Sequence, residues 1–352
     1  MVRREAANRD IRIIYVGPLF FGSTCLMRMN SLSRLGFDVV GVESGNPTTY
    51  RGFYQRAIDS VARRAGYPID RAGANLAIER QVLESRFDVL WIDKGLTIRP
   101  RTLHLVKTVQ PWIRLVAFSP DDMMGRHNQS KYYLAGVPLY DLHITTKSFN
   151  GAELEAIGAR RTIFIPNGYD TEIHKPVDTN EFTRTSLGGE VGFIGDYEEE
   201  RAASVLYLAR NGIPVRVWGM GRWQKLVNAH PLLRIEAGPL WGIEYAKAIC
   251  SFDINLCFLR KVNRDLQTTR SIEIPACGRF MLAERTTEHT SLFREGVEAD
   301  FFSDNDELLR KVQYYRRNTA EARQIGLAGR KRCEESGYDY TSRLGRILNV
   351  IL

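Results

Sequence analysis

The stretch NRDLQTTRSIEIPACGRFMLAE, Asn263 to Glu284, gathers residue types that suit a phosphorylated ligand. Thr268 and Thr269 can cap a helix that ends near Gly278, which places their hydroxyls and free N–H groups where a diphosphate would sit. Arg264 and Arg270 flank that start and supply planar donor forks for phosphate oxygens. Glu273 lies about one turn further on, inside the otherwise apolar IEIPACG, where a carboxylate calls for a partner such as a ribose diol. One short helix can thus hold a nucleotide by phosphate and sugar together. The plainer alternative is a surface helix with ordinary charges.

A second stretch, GPLFFGST from Gly17 to Thr24, follows the apolar run IRIIYV and nearly spells a P-loop, but Ser23 stands where that motif has its lysine. Without the cation the loop does not grip a terminal phosphate. Its glycines still let backbone approach a ligand at the carboxyl end of a strand, the ligand-facing position of an open parallel sheet. A tight strand-to-helix turn needs the same glycines.

The elements that must position these groups are legible as apolar runs alternating with helix-like stretches, the pattern of parallel sheets covered by helices. The first series is IRIIYV, DVVGV, FDVLWID, IRLVAF, DLHIT and TIFIP; the second is EVGFIG, VRVWG, LRIEA, DINLCF, RFMLA and ADFFS. Between them IPNGYDTEIHKPVDTNEFTRTSLGGE is rich in proline and glycine and poor in apolar periodicity, which marks a domain junction. At the C-terminus Leu344, Ile347 and Leu348 fall at i, i+3 and i+4, the stripe of an amphipathic helix able to pack back across that junction. A chain of 352 residues suits two α/β domains of about 150 residues each.

Hydrophobic content of 44% and charged content of 26% are those of a globular protein, and no uncharged apolar run is long enough to span a bilayer. The N-terminus MVRREAANRD is too polar for a secretory signal, and five cysteines without a CxxC pair read as reduced thiols, so a cytoplasmic protein is expected. The net charge of +8 suits a phosphorylated ligand, an anionic membrane surface or nucleic acid. No aromatic-basic RNA-recognition motif accompanies it, which argues against nucleic acid and leaves peripheral membrane contact open.

The Asn263–Glu284 segment resembles the signature of retaining group 1 nucleotide-sugar glycosyltransferases of the GT-B fold, and more closely their CgeB-like, spore-maturation-protein-like branch. In that family a Glu, seven residues, and a second Glu followed by Ala-Met-Ala-Cys-Gly mark the donor site; Glu273 to Gly278 reads EIPACG here. The resemblance assigns Glu273 to the ribose hydroxyls, Asp265 to the transferred sugar in place of the first glutamate, and Thr268 and Thr269 to the phosphates. FIGDYEEER resembles the opening strand of the nucleotide domain, with Asp196 at the family's arginine position and Arg201 at its lysine position. Arg260, Lys261 and Arg264 are then candidates to replace the missing cation. The glycine loop resembles the family's first glycine-rich loop, with Gly22 its closest approach to donor and acceptor.

The resemblance implies two Rossmann-like α/β domains facing across a cleft, an acceptor-side domain over residues 1–172 with a helix at 335–352 packing back, and a donor domain over 173–334. It implies sugar transfer from a nucleoside diphosphate sugar, usually with retention through front-side attack. A silent sugar-nucleotide or glycan-binding protein of a surface or spore-coat assembly is the alternative. Lys94 after FDVLWID and Asp121 after RLVAFSP are the catalytic candidates of the first domain, with Asp122 and His127 on the acceptor side. An N-cap after Pro120 competes for the aspartates. Tyr132, Tyr133 and Tyr140 either line an acceptor cleft or are buried. Two adjacent aspartates rarely hold magnesium, and the six histidines show no zinc spacing, so neither metal nor cofactor is expected.

Overall fold

The computed structural model of the protein describes residues 11–45 and 53–352. Contacts divide the chain into two compact units, one running through Pro166 and taking back Leu344–Leu352, the other spanning Asn167–Arg343. Residues 167–172 and 335–343, assigned from sequence to the first domain, therefore lie in the second unit. The final helix, Tyr340–Ile351, starts in the second unit and belongs to the first from Leu344 onward. Its stripe of Leu344, Ile347 and Leu348 is buried.

In the first unit β1 (Arg12–Gly17), β2 (Asp38–Glu43), β3 (Val89–Asp93), β4 (Arg114–Ser119), β5 (Leu142–Thr145) and β6 (Thr162–Phe164) form one parallel sheet in the order β2-β1-β3-β4-β5-β6. Every residue of VLWID in β3 is buried, as parallel strands covered on both faces require. The chain reverses its direction across the sheet between β1 and β3, and open α/β sheets bind ligands beyond the strand ends at such a reversal. There stand the glycine loop after β1 and Lys94-Gly95 after β3.

The second unit repeats the plan with β7 (Gly189–Ile194), β8 (Val215–Gly219), β9 (Leu233–Ala237), β10 (Phe252–Cys257), β11 (Met281–Glu284) and β12 (Asp300–Phe302), all parallel, in the order β12-β11-β10-β7-β8-β9. Each of the twelve strands falls within two residues of an apolar run read from the sequence. One face of this sheet packs Val191, Phe193, Val217 and Leu256 against Val205 and Leu308. The other packs Cys257, Met281 and Phe301 against Ile249 and Ile272. The reversal lies between β7 and β10, so the loops at 195–198 and 258–269 border the ligand end.

Glycine is required at the tips of β7 and β8. A Cβ on Gly219 would lie 2.1 Å from the Gly195 carbonyl oxygen and 2.7 Å from Trp223 Nε1. Those two groups are hydrogen-bonded to each other at 2.8 Å and fix the end of β7. Gly219→Ala is expected to lower unfolding free energy by about 1–3 kcal/mol, the usual penalty of overpacking. Urea denaturation checks this, and an unchanged midpoint would mean that the β7 tip is looser than described.

Candidate functional site

At the reversal of the second sheet two guanidinium groups approach one aromatic ring. Arg201, on the helix Glu199–Arg210 that follows β7, lies 5.6 Å from the Phe193 ring centroid, and Arg270, at the start of helix Arg270–Ala276, lies 5.9 Å from it. Arg201 is buried and tied to main-chain oxygens: Nε donates to Leu259 O at 3.2 Å, Nη1 to Asp196 O at 3.0 Å and Nη2 to Phe258 O at 3.5 Å. Burial, and after it the charge of Arg270, pulls its pKa down to about 10. Among the described residues Arg270 makes no hydrogen bond and no ion pair, and its buried Nε has no acceptor. Two positive charges thus meet beyond the strand ends with no carboxylate bonded to either, an arrangement that favours an incoming anion.

Glu273 stands one turn along the same helix and is buried. Its Oε2 accepts the Tyr245 hydroxyl at 2.7 Å, and its Oε1 lies 3.7 Å from His174 Nε2. His174 Nδ1 accepts the Asp170 N–H at 3.0 Å, which leaves the neutral ring's proton on Nε2, facing Glu273. Burial holds the His174 pKa below its ordinary value, so the ring is neutral near pH 7 and faces Glu273 as a dipole. Burial, and then the charge of Glu273, raises the Tyr245 pKa.

The two threonines do not cap as expected. Thr269 has helical backbone angles and makes no side-chain cap, and the Thr268 N–H donates to Ser271 Oγ at 3.0 Å. Ser271 in turn bonds His289 Nε2 at 2.7 Å, and His289 Nδ1 bonds the Glu284 carbonyl at 2.6 Å. Burial lowers the His289 pKa to about 4, so the ring is neutral near pH 7. With a neutral ring one direction of donation satisfies the chain: Thr268 N–H to Ser271, Ser271 O–H to Nε2, and Nδ1–H to Glu284 O.

The other cations are committed. Arg260 pairs with Glu198 at 3.1 Å and Lys261 with Glu284. Arg264 is exposed and adopts left-handed backbone angles, with φ at 47°. Asp265 is buried, and its Oδ1 accepts Asn263 Nδ2 at 2.9 Å.

At the reversal of the first sheet, Ser23 caps helix Thr24–Arg34 by accepting Leu26 N–H at 3.1 Å, and Gly22 has φ at 86°. Lys94 also sits in the left-handed region, with φ at 66°, and its Nζ pairs with Asp121 Oδ2 at 2.5 Å. The two catalytic candidates of this unit therefore meet as one ion pair. Asp122 does not join them: it is buried, and its Oδ1 accepts Asn150 Nδ2 at 2.9 Å and Met124 N–H at 3.0 Å, a local turn, whereas the helix cap read as an alternative is not formed, since Gly125 precedes the next helical turn, Arg126–Asn128. His127 is exposed, with Nε2 3.1 Å from Asn128 Nδ2. Tyr133 and Tyr140 are buried. Beneath the loop lies a pair that pattern reading missed, Arg28 Nη2 to Asp93 Oδ2 at 2.6 Å, with the Tyr15 hydroxyl on the same oxygen at 2.7 Å. Among the described residues no group of three or more His, Cys, Asp or Glu could hold a metal ion.

Comparison with known proteins places these observations. Residues 201–349 match the family described as "Glycosyl transferase-like". No curated protein matches the chain. Sucrose-phosphate synthase from Thermosynechococcus elongatus superposes with a TM-score of 0.65 at 13% identity, over 97% of this chain and 99% of that one. Anabaena HepE in complex with UDP and glucose gives 0.64 at 12% identity over 97% and 99%, and a glycosyltransferase from Rickettsia africae gives 0.64 at 12% over 97% and 98%. The chain has the GT-B fold.

The relay makes stability depend on pH. In the unfolded chain His289 takes up a proton below about 6.5, whereas the folded protein resists until about 4. The unfolded state binds more protons at this site between those values, so the His289 contribution to stability falls as pH drops from 6.5 to 4 and changes no further below. That window is expected to remove up to about 3 kcal/mol. Urea midpoints against pH check it: His289→Gln should flatten the slope, and an unchanged slope would exclude His289 as its source.

Proposed function

We propose that the protein transfers a sugar from a nucleoside diphosphate sugar to an acceptor hydroxyl. The observation that carries this reading is the pair Arg201 and Arg270, neither hydrogen-bonded to a carboxylate at the reversal of the second sheet, with Glu273 one turn beyond. Arg270 supplies donors to the diphosphate, Arg201 supplies a fixed charge behind it, and Glu273 accepts the ribose hydroxyls. The glycosyltransferase-like match over residues 201–349 covers these three residues and supports the assignment. HepE, whose fold is similar, was captured with UDP-glucose, which makes uridine nucleotides the first donors to try.

Asp265 is assigned to the transferred sugar, and Gly22, Lys94 and Asp121, at the first unit's own reversal, to the acceptor. The acceptor oxygen bonds to the anomeric carbon on the face the nucleotide leaves, the bond from that carbon to the diphosphate breaks, and the diphosphate takes the acceptor proton, so configuration is retained. The protein contributes positioning and stabilises the charge growing on the leaving group. A silent sugar-nucleotide binder is the second reading, favoured by the Asn263 bond that already engages the shorter Asp265.

A thermal-shift screen of nucleoside diphosphates followed by turnover of the matching sugar nucleotides tests the proposal. A ligand at 100 times its Kd adds about 2.7 kcal/mol of stability. Binding with release of free nucleotide supports transfer, binding without turnover selects the silent binder, and no binding by any nucleotide contradicts both. Glu273→Gln should weaken nucleotide binding by roughly 1.5–3 kcal/mol, since an amide places a donor against the diol. Affinity like wild type would remove Glu273 from the ribose. Gly22→Val should abolish transfer and spare nucleotide affinity, because valine cannot hold φ at 86° and crowds the backbone approach. Full transfer by a folded Gly22→Val protein would reduce the loop to a turn.

A further inference from the structure

Helix Phe53–Arg64 in the first unit is amphipathic with its apolar stripe turned outward. Tyr54, Ile58 and Val61 follow at i, i+4 and i+7 and are exposed by 81%, 54% and 64%, and no residue from Tyr54 to Arg64 is buried. Arg56 and Arg63 lie on the opposite side of the helix and Arg64 at its end; all three are exposed and, among the described residues, make no ion pair. The acidic residue of the helix, Asp59, is taken by Arg71 in two hydrogen bonds of 2.9 and 3.0 Å. The helix therefore presents apolar side chains together with unneutralised arginines.

The next helix, Ala74–Glu84, buries Ala74, Asn75, Ile78 and Val82 and leaves Leu76 and Leu83 more than half exposed on its other face. Phe20 and Phe21, in the loop after β1, are likewise more than half exposed, and that loop is bonded to the end of β2 through Leu19 N–H to Glu43. Exposed large apolar residues thus recur along the chain from Phe20 to Leu83, and Trp112, Ile157 and Phe164 are exposed elsewhere in the unit.

We infer that the first unit docks on an anionic lipid surface through helix Phe53–Arg64, with Tyr54, Ile58 and Val61 entering the headgroup boundary and Arg56, Arg63 and Arg64 meeting lipid phosphates and carboxylates. An outward apolar stripe backed by arginines is the pattern of an interfacial helix, and the protein's net charge of +8 has the sign that an anionic leaflet attracts. A second copy of the chain would carry the same positive charges and repel them. The inference does not depend on the nucleotide site.

The test is co-sedimentation of the full chain with vesicles of phosphatidylcholine alone and of phosphatidylcholine mixed with phosphatidylserine. Wild type should pellet with the mixed vesicles, much less with the neutral ones, and be released near 1 M salt, where the Debye length is about 3 Å. Ile58→Asp with Val61→Asp, and separately Arg63→Glu with Arg64→Glu, should each lower vesicle partition about tenfold or more. Circular dichroism and unchanged thermal midpoints should show that both variants fold, as expected for exposed positions. Absence of binding to mixed vesicles, binding that survives both variants, or a dimer in light scattering that the apolar variant dissolves would each overturn the inference.

Discussion

The structure of the second unit turns on placing two arginines close together in a largely water-excluded site with no carboxylate hydrogen-bonded to either. Charges of like sign repel strongly where water is excluded, and burying a charge is itself costly. Arg201 meets that cost with three main-chain carbonyls at the ends of β7 and β10 and with the face of Phe193. Arg270 has the ring and the nearby charge of Glu273 and Asp265, without a hydrogen bond to either among the described residues. Carbonyl dipoles hold a cation without cancelling its charge, so Arg201 keeps a charge that a bonded carboxylate would have offset.

Much of the surrounding geometry serves that constraint. The tip of β7 has to pass close to both guanidiniums, and a Cβ on Gly195 would lie 2.7 Å from the Phe193 ring and 3.5 Å from the Arg270 guanidinium carbon. The opening turn of helix Arg270–Ala276 is set by the Thr268–Ser271–His289–Glu284 relay. Gln267 is buried and accepts the Asn167 main-chain and side-chain N–H groups, which fastens the loop before the helix to the start of the unit. Tyr245 and His174 fix the Glu273 carboxylate. The threonines thus place the helix through main-chain bonding, and the side-chain cap expected of them is absent.

The sheets were legible in the sequence because parallel strands buried on both faces are near-continuous apolar runs bounded by turn residues. Glu273 and Arg270 were legible because a charge inside IEIPACG or at a helix start has few ordinary explanations. The partners were hidden because each comes from a distant point of the chain: His289 lies 18 positions from Ser271, Asp93 lies 65 from Arg28, and Tyr245 lies 28 from Glu273. No local spacing marks a buried relay. The same limit explains Arg260 and Lys261, which look free in RKVNR until Glu198 and Glu284 come into reach. Asp122 shows the converse, since adjacent aspartates after a proline look equivalent and folding turns one to Lys94 and the other to Asn150.

The central claim is that Arg201 and Arg270 together seat a diphosphate, and calorimetry isolates it. The nucleoside diphosphate bound most tightly and its parent nucleoside are titrated into wild type and into a folded Arg270→Met variant. The diphosphate should lose about 10–100-fold in affinity, the value of a charged hydrogen bond or two, while the nucleoside binds both proteins alike. Equal losses for the two ligands, or none for the diphosphate, would contradict the account.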